Sequence, residues 1–182
     1  IANMIIFGLS LFSDIGLGQN IIRSKRGDDP HFLNTVWAIQ IIRGLIIWIF
    51  AVIIGVSLYF LNELGIMHGA SVYNDPVLPI VIIAISFSAV ISGFESTKLP
   101  LAMRDYDQKN IAFMIVASQL ISIIVMIFWA FVIDRSIWAL VVGSLVGSAV
   151  KVSFTHTMLS GPSNHWEWED DARKEIFHFG KW

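Results

Sequence analysis

Three ionisable side chains, Asp14, Arg43 and Glu95, lie within long apolar stretches, and Gln40 lies three residues before Arg43. At helical spacing Gln40 and Arg43 share one face. A guanidinium offers paired N–H donors to phosphate oxygens, and a low dielectric strengthens such contacts. Two hypotheses therefore stay open. Arg43 and Asp14 form a buried pair that fixes helix register, or Arg43 and Gln40 line a hydrated cavity for an anionic substrate, with Asp14 or Glu95 adjusting its charge.

Other patterns that carry chemistry are missing from the sequence. It has no cysteine, and its five histidines form no metal-ligand spacing. Neither a nucleophile elbow nor a Ser–His–Asp set is recognisable. The net charge of −2 lacks the basic surplus of nucleic-acid-binding proteins. We therefore expect no catalytic residue, no metal, no cofactor and no nucleic-acid partner, and we expect that the protein is not an enzyme.

The composition indicates a membrane protein. Hydrophobic residues make up 55% of the 182 residues, charged residues 14%, and the mean hydropathy is +0.70. Soluble domains have about 25% charged residues, so lipid must cover part of this chain. Five stretches reach the ~20 apolar residues that a membrane helix needs; they run over residues 1–22, 35–61, 77–98, 111–133 and 137–159. The sequence predicts an all-α, polytopic membrane helix bundle.

Basic residues mark one side of the predicted bundle. Ten of the 12 Lys and Arg residues fall on that side, Arg43 lies within a helix, and only Arg135 falls on the other side. An excess of basic residues marks the cytoplasmic side, so residue 1 should be outside and residue 182 cytoplasmic. Five basic residues would lie at the inner rim, where they either only signal topology or also attract anionic lipid heads: Arg23, Lys25, Arg26, Arg104 and Lys109.

The chain after residue 160 has a different character. Acidic residues come first, then basic ones, then an apolar group near residues 176–179. This order predicts an interfacial helix that leads into a further crossing, with a solvated cytoplasmic linker as the alternative. In the preceding stretch, small residues such as Gly143 and Gly147 recur on one face, which favours close helix packing.

Four stretches resemble one family. They are "LFSDIGLGQNIIRSKRGDDPHFLNTVWAIQIIRGLI" (11–46), "KLPLAMRDYDQKNIAF" (98–113), "SIWALVVGSLVGSAVK" (136–151) and "ARKEIFHFGKW" (172–182). In this order they resemble the oligosaccharide flippases that export polysaccharide and lipopolysaccharide precursors, in the superfamily that also holds multidrug extruders.

The resemblance implies a fold of two helical lobes around a central cavity. It implies transport of an undecaprenyl-diphosphate-linked oligosaccharide across the bacterial inner membrane by alternating access. Residues 1–160 would be part of the N-terminal lobe, helices two to six, and residues 161–182 a cytoplasmic amphipathic lead-in to the next helix. The implied partners are the lipid-linked oligosaccharide, membrane lipid and the remaining half of the same polypeptide.

Two other functions remain as alternatives. A drug or cation antiporter of the same superfamily would share the architecture, but a cationic drug would be repelled by Arg43. A membrane enzyme of the same pathway, such as a polysaccharide polymerase, should carry a large polar outer loop with catalytic groups. The outer loops predicted here, about 62–76 and 134–136, are short and lack such groups.

Overall fold

The computed structural model describes residues 17–24, 26–64 and 77–179, and all regular elements in those ranges are helices. They are α1 (Leu17–Arg23), α2 (Pro30–Glu63), α3 (Leu78–Gly93), α4 (Lys98–Arg104), α5 (Gln108–Val132), α6 (Trp138–Thr157) and α7 (Asp170–Phe179). The predicted all-α class is confirmed. Asp14, Lys25 and most of the first predicted span lie outside the described residues.

Three of these helices, α2, α5 and α6, are long and apolar enough to cross a membrane. A fourth crossing is possible if α3 and α4, which meet at an angle of 66°, form one broken span. Many of their apolar side chains point outwards and are exposed, among them Phe50, Phe128 and Phe131. The chain is therefore a polytopic membrane helix bundle whose outer surface is suited to lipid.

Helix α2 begins five residues before the predicted span. Asp29 caps it, because its carboxylate accepts a hydrogen bond from the His31 backbone N–H at 3.1 Å. Pro30 occupies the first turn, where its missing N–H would have no partner in any case. At ~1.5 Å per residue, the 34 residues of α2 span ~51 Å. The helix is longer than the ~30 Å hydrocarbon layer and must project beyond it.

The third predicted span is not one continuous helix. Helix α3 ends at Gly93, and α4 starts at Lys98 after four non-helical residues. Pro100 gives the physical reason, because its ring would clash with the carbonyl of Ser96 four residues earlier in a continuous helix. Within α4, Pro100 falls in the first turn, where proline is tolerated. We call residues 94–97 the break.

Glycines bring the paired helices close together. A Cβ on Gly44 of α2 would lie 2.5 Å from the Ala89 carbonyl oxygen of α3. A Cβ on Gly147 of α6 would lie 2.7 Å from the Ser122 Cβ of α5. Ser122 Oγ also donates a hydrogen bond to the Gly143 carbonyl of α6 at 2.8 Å. The small residues of α6 thus serve helix packing, as the sequence indicates.

The short helices gather at one end of the bundle. Here α1 contacts α4 and α7, and α7 contacts the start of α2. Ala172 and Ile176 of α7 are fully buried in a cluster that includes Ile21 and Phe32. We call this end the basic end, after Arg23, Arg26 and Arg104. Helix α7 is therefore docked on the bundle, and its role as a lead-in to a further crossing stays a prediction.

Candidate functional site

A cavity of about 400 Å³ lies between α1, α2, α3 and α4, and we call it the Arg43 cavity. Gln40 and Arg43 line it from α2, Ser92 from α3, and Glu95 from the break. The structure thus brings three of the four candidate residues to one cavity, whereas Asp14 lies outside the described residues. Its volume lies within the range of small-molecule sites. Binding of a substrate by these residues stays a prediction.

Gln40 secures the end of α3. Its Nε2 lies 3.1 Å from the Ser92 carbonyl oxygen, 3.3 Å from that of Gly93 and 3.1 Å from that of Glu95. The last carbonyls of a helix have no partner within the helix, and lipid offers none. The amide of Gln40 therefore stabilises the break, and this role does not require a ligand.

Side chains from the other side of the bundle complete the hydrogen bonds of the break. His156 Nε2 lies 2.8 Å from the Phe94 carbonyl oxygen, and Thr155 Oγ1 accepts from the Ser96 N–H at 3.1 Å. Asn164 Oδ1 accepts from the Ser96 hydroxyl at 2.7 Å. Irregular backbone at membrane depth is tolerated only where protein or water satisfies it. The break is thus stabilised by specific hydrogen bonds, and those of Thr155 and His156 join it to α6.

Glu95 forms an ion pair with Lys151 of α6. The Lys151 Nζ lies 2.8 Å from Glu95 Oε1, although the contact lacks the alignment of a directed hydrogen bond. The Glu95 side chain is 18% exposed and that of Lys151 38%. Lys98, only three residues further along the chain, donates from its Nζ to the His156 carbonyl at 2.9 Å instead. The pair links the Arg43 cavity to α6.

A second cavity, of about 430 Å³, lies between α5 and α6. Gln119, Ser144, Ser148 and Lys151 are among its lining residues. Ser144 and Ser148 donate their hydroxyl hydrogens to carbonyls of their own helix, so their lone pairs are what they present to the cavity. Lys151 lines this cavity while its ammonium contacts Glu95, so the ion pair separates two polar cavities.

Two of the predicted rim residues are engaged within the chain. Arg26 Nη2 lies 2.5 Å from Asp29 and 2.8 Å from Glu169, and Arg104 forms an ion pair with Asp28. The hydrogen bond from Arg26 holds the pKa of Asp29 below its usual value. Arg26 and Arg104 therefore also stabilise the loop between α1 and α2.

The other predicted rim residues differ. Arg23 and Lys109 are exposed, and Lys25 lies outside the described residues. Attraction of anionic lipid heads by any of the five residues stays a prediction, and exposed Arg23 and Lys109 are the described members best placed for it.

Residues 164–169, which we call the strap, connect α6 to α7 and lie against the start of α2. Glu167 Oε2 accepts from Asn34 Nδ2 at 2.9 Å, and Glu167 Oε1 lies 2.5 Å from His31 Nδ1. The Asn34 N–H donor, and then His31, hold the pKa of Glu167 below its usual value. The charged form of Glu167 is therefore the form that favours the docked strap.

Acidification should loosen the strap. Because the pKa of Glu167 is lowered in the docked state, its contribution is complete above the ordinary carboxyl pKa of 4.5 and is lost as the pH falls through the lowered pKa. Spin labels on cysteines that replace Arg23 and Asp171, both exposed, should report a broader distance distribution at a pH well below the ordinary carboxyl pKa of 4.5 than at pH 7. Glu167→Gln should broaden it already at pH 7. The same distribution at both pH values in the unsubstituted strap would contradict this role.

Sequence reasoning missed the α6 partners of the break. Lys151 and Thr155 lie four residues apart on one face of α6 and His156 follows Thr155, and Lys151 is the oppositely charged group that Glu95 needs. A carboxylate in a predicted membrane span requires a cation at similar depth, and this requirement is the sequence signal that points to Lys151. Asn164 left no such signal, because it lies in an irregular segment.

A family model described as polysaccharide biosynthesis protein matches residues 1–182. This match covers the whole chain, and it is consistent with the flippase-like family that the sequence motifs resemble. No curated protein and no solved structure matches the chain. Together with the membrane helices, the match supports involvement in polysaccharide biosynthesis at a membrane. The chain belongs to the polysaccharide biosynthesis protein family.

Proposed function

We propose that the protein exports a lipid-linked oligosaccharide, flipping an undecaprenyl-diphosphate carrier across the bacterial inner membrane by alternating access. The observation that carries the proposal is the position of Arg43. It lies within a membrane helix, is partly buried, and lines a cavity rather than the lipid-facing surface. A charge at this depth costs ~3 kcal/mol on insertion scales, and such residues mark substrate pathways.

The chemistry of Arg43 suits a diphosphate. Its guanidinium presents N–H donors in a planar fork that matches two phosphate oxygens, and the apolar surroundings strengthen the attraction. Gln40 and Glu95 have positioning roles in this proposal. Gln40 holds the break, and Glu95 ties the break to Lys151, so the cavity wall opposite Arg43 keeps its shape.

The polarity of transport follows from the basic end. If this end is cytoplasmic, as the excess of Lys and Arg indicates, the cavity receives the carrier from the side where lipid-linked sugars are assembled. Alternating access requires a second bundle that moves against the first around one site. We expect the remaining half of the polypeptide to supply that bundle and the opposite wall of the site.

The two alternatives predict different site chemistry. A drug or cation antiporter would need a net acidic cavity, whereas here Arg43 offsets Glu95, and Glu95 is paired with Lys151. A polymerase would need catalytic groups on the outer side. The one outer turn that the structure describes, around Asp134 and Arg135, is too short to form such a site.

A transport assay in cells that lack the protein would separate all three functions. For a flippase, the lipid-linked oligosaccharide should accumulate where an impermeant glycan-cleaving enzyme cannot reach it, and surface polymer should disappear. For a polymerase, unpolymerised glycan lipid should accumulate within reach of that enzyme. For a drug extruder, drug sensitivity should rise with the glycan lipid unchanged. Either of the last two outcomes would overturn the proposal.

A further inference from the structure

Two tryptophans of the strap, which lies outside the apolar membrane helices, are exposed. Trp166 is 62% exposed and Trp168 45%. Both belong to a segment that is otherwise held to the bundle by polar contacts. Large aromatic side chains that lie together at a surface mark a site of interaction with another molecule or with a membrane.

The contacts of the strap explain why both rings face away from the bundle. The backbone N–H of His165 donates to Asn34 Oδ1 at 3.0 Å, and Glu167 contacts Asn34 and His31. The backbone N–H of Glu169 donates to Thr35 Oγ1 at 3.1 Å. Residues 165, 167 and 169 thus anchor the strap, and the two tryptophans alternate with them on its outer side.

The depth of the strap is set by the helices that flank it. Helix α6 has 20 residues, and at ~1.5 Å each its length equals the ~30 Å thickness of the hydrocarbon layer. The strap begins seven residues after the end of α6 and contacts the first two turns of α2, which extends beyond that layer. It therefore lies at the level of the lipid headgroups, where tryptophan is enriched in membrane proteins.

We propose that Trp166 and Trp168 insert into the headgroup region of the membrane and anchor the strap to lipid. The two side chains would contact the headgroup region of the bilayer in general rather than one particular anionic lipid. The neighbouring cations of α7 are already paired with carboxylates, because Arg173 lies 3.0 Å from Asp170 and Lys174 lies 3.6 Å from Asp171. They therefore give no reason to expect selection of an anionic lipid. The bundle thus holds the strap on one side and the membrane holds it on the other.

Single cysteines test this directly, since the chain has none of its own. The protein carrying Trp166→Cys or Trp168→Cys, labelled with the fluorophore NBD, is placed in phosphatidylcholine vesicles containing a lipid with a shallow doxyl quencher. Ser163→Cys and Asp170→Cys, at exposed positions on either side, are the matched controls. We expect quenching at 166 and 168 at least twice that of both controls, and emission shifted to shorter wavelength.

Two results would overturn the proposal. Labels at 166 and 168 that are as wet as the controls would show that the rings face water. Labels that are dry, but not quenched by the doxyl lipid, would show that a protein surface covers them.

A second measurement uses the intrinsic fluorescence of tryptophan and needs no label. Quenching of intrinsic tryptophan fluorescence by brominated phosphatidylcholine should decrease when both tryptophans are replaced by Phe, and an unchanged quenching would also contradict lipid contact.

Discussion

Replacement of Arg43 by Gln should reduce export of the lipid-linked oligosaccharide by about 10- to 100-fold. Charge-assisted hydrogen bonds contribute ~1.5–3 kcal/mol, and each 1.4 kcal/mol corresponds to a factor of ten. The glycan lipid should accumulate on the cytoplasmic side at normal levels of protein in the membrane. Arg43→Lys should give an intermediate loss, because it keeps the charge but not the planar pair of donors.

The matched control is Arg135→Gln. Arg135 lies in the turn before α6, exposed and 5.8 Å from the centre of the Phe131 ring, far along the chain from the cavity. The same chemical change there should leave export within about twofold, since surface substitutions rarely exceed ±0.5 kcal/mol. Equal export in both variants would remove Arg43 from the transport mechanism, and the substrate site would then have to be sought elsewhere.

A cysteine at position 43 tests the cavity without relying on transport. In the otherwise cysteine-free protein, Arg43→Cys should react with a water-soluble thiol reagent from at least one side of the membrane. A cysteine at Phe50, which is exposed on the lipid-suited surface of the same helix, should react far more slowly. If position 43 resists the reagent from both sides, water does not reach the cavity, and a site for a charged diphosphate is excluded.

The helices themselves were largely predictable, because each apolar span moves from water into lipid as a unit and must satisfy its own backbone hydrogen bonds there. An apolar stretch of sufficient length must be helical, since no water is present to satisfy its backbone. This argument located α2, α5 and α6 from composition alone. It failed at the break, because an apolar stretch followed by a proline two residues after its end is compatible with both a continuous helix and a bent one. Pro100 resolves the choice only when its clash with the Ser96 carbonyl is considered.

The candidate site was predictable in part, for a related reason. Helical spacing predicted that Gln40 lies next to Arg43. Because exposing a charge to lipid costs free energy, the sequence also predicted that Arg43 and Glu95 face the interior of the bundle. Spacing within one helix carries no information about which helix lies opposite. The pairing of Glu95 with Lys151 instead of the nearby Lys98 depends on which helix packs against the break, and that helix is α6. The contacts of Asn164 depend on the path of an irregular segment and were not accessible from sequence patterns.

The ion pair between Glu95 and Lys151 should be asymmetric in its response to substitution. Lys151→Gln should lower the free energy of unfolding by about 2 kcal/mol, because it leaves the more buried carboxylate of Glu95 without its counter-charge. Glu95→Gln should cost about half as much, since the longer and more exposed Lys151 side chain can turn its ammonium towards water. Both values lie below the ~3–5 kcal/mol of a fully buried pair, because neither group is fully buried.

The double variant Glu95→Gln/Lys151→Gln decides whether the two charges act as a pair. It should cost only about 1 kcal/mol and so be more stable than Lys151→Gln alone, because no uncompensated charge remains, and the double-mutant cycle should give a coupling of about 2 kcal/mol. Chemical denaturation in lipid–detergent micelles would measure all four proteins. The surface pair of Arg173 and Asp170 provides the control, and Arg173→Gln should change stability by less than about 0.5 kcal/mol. If Lys151→Gln costs no more than Arg173→Gln, the pair does not hold the break to α6, and the hydrogen bonds of Gln40, His156 and Asn164 must suffice.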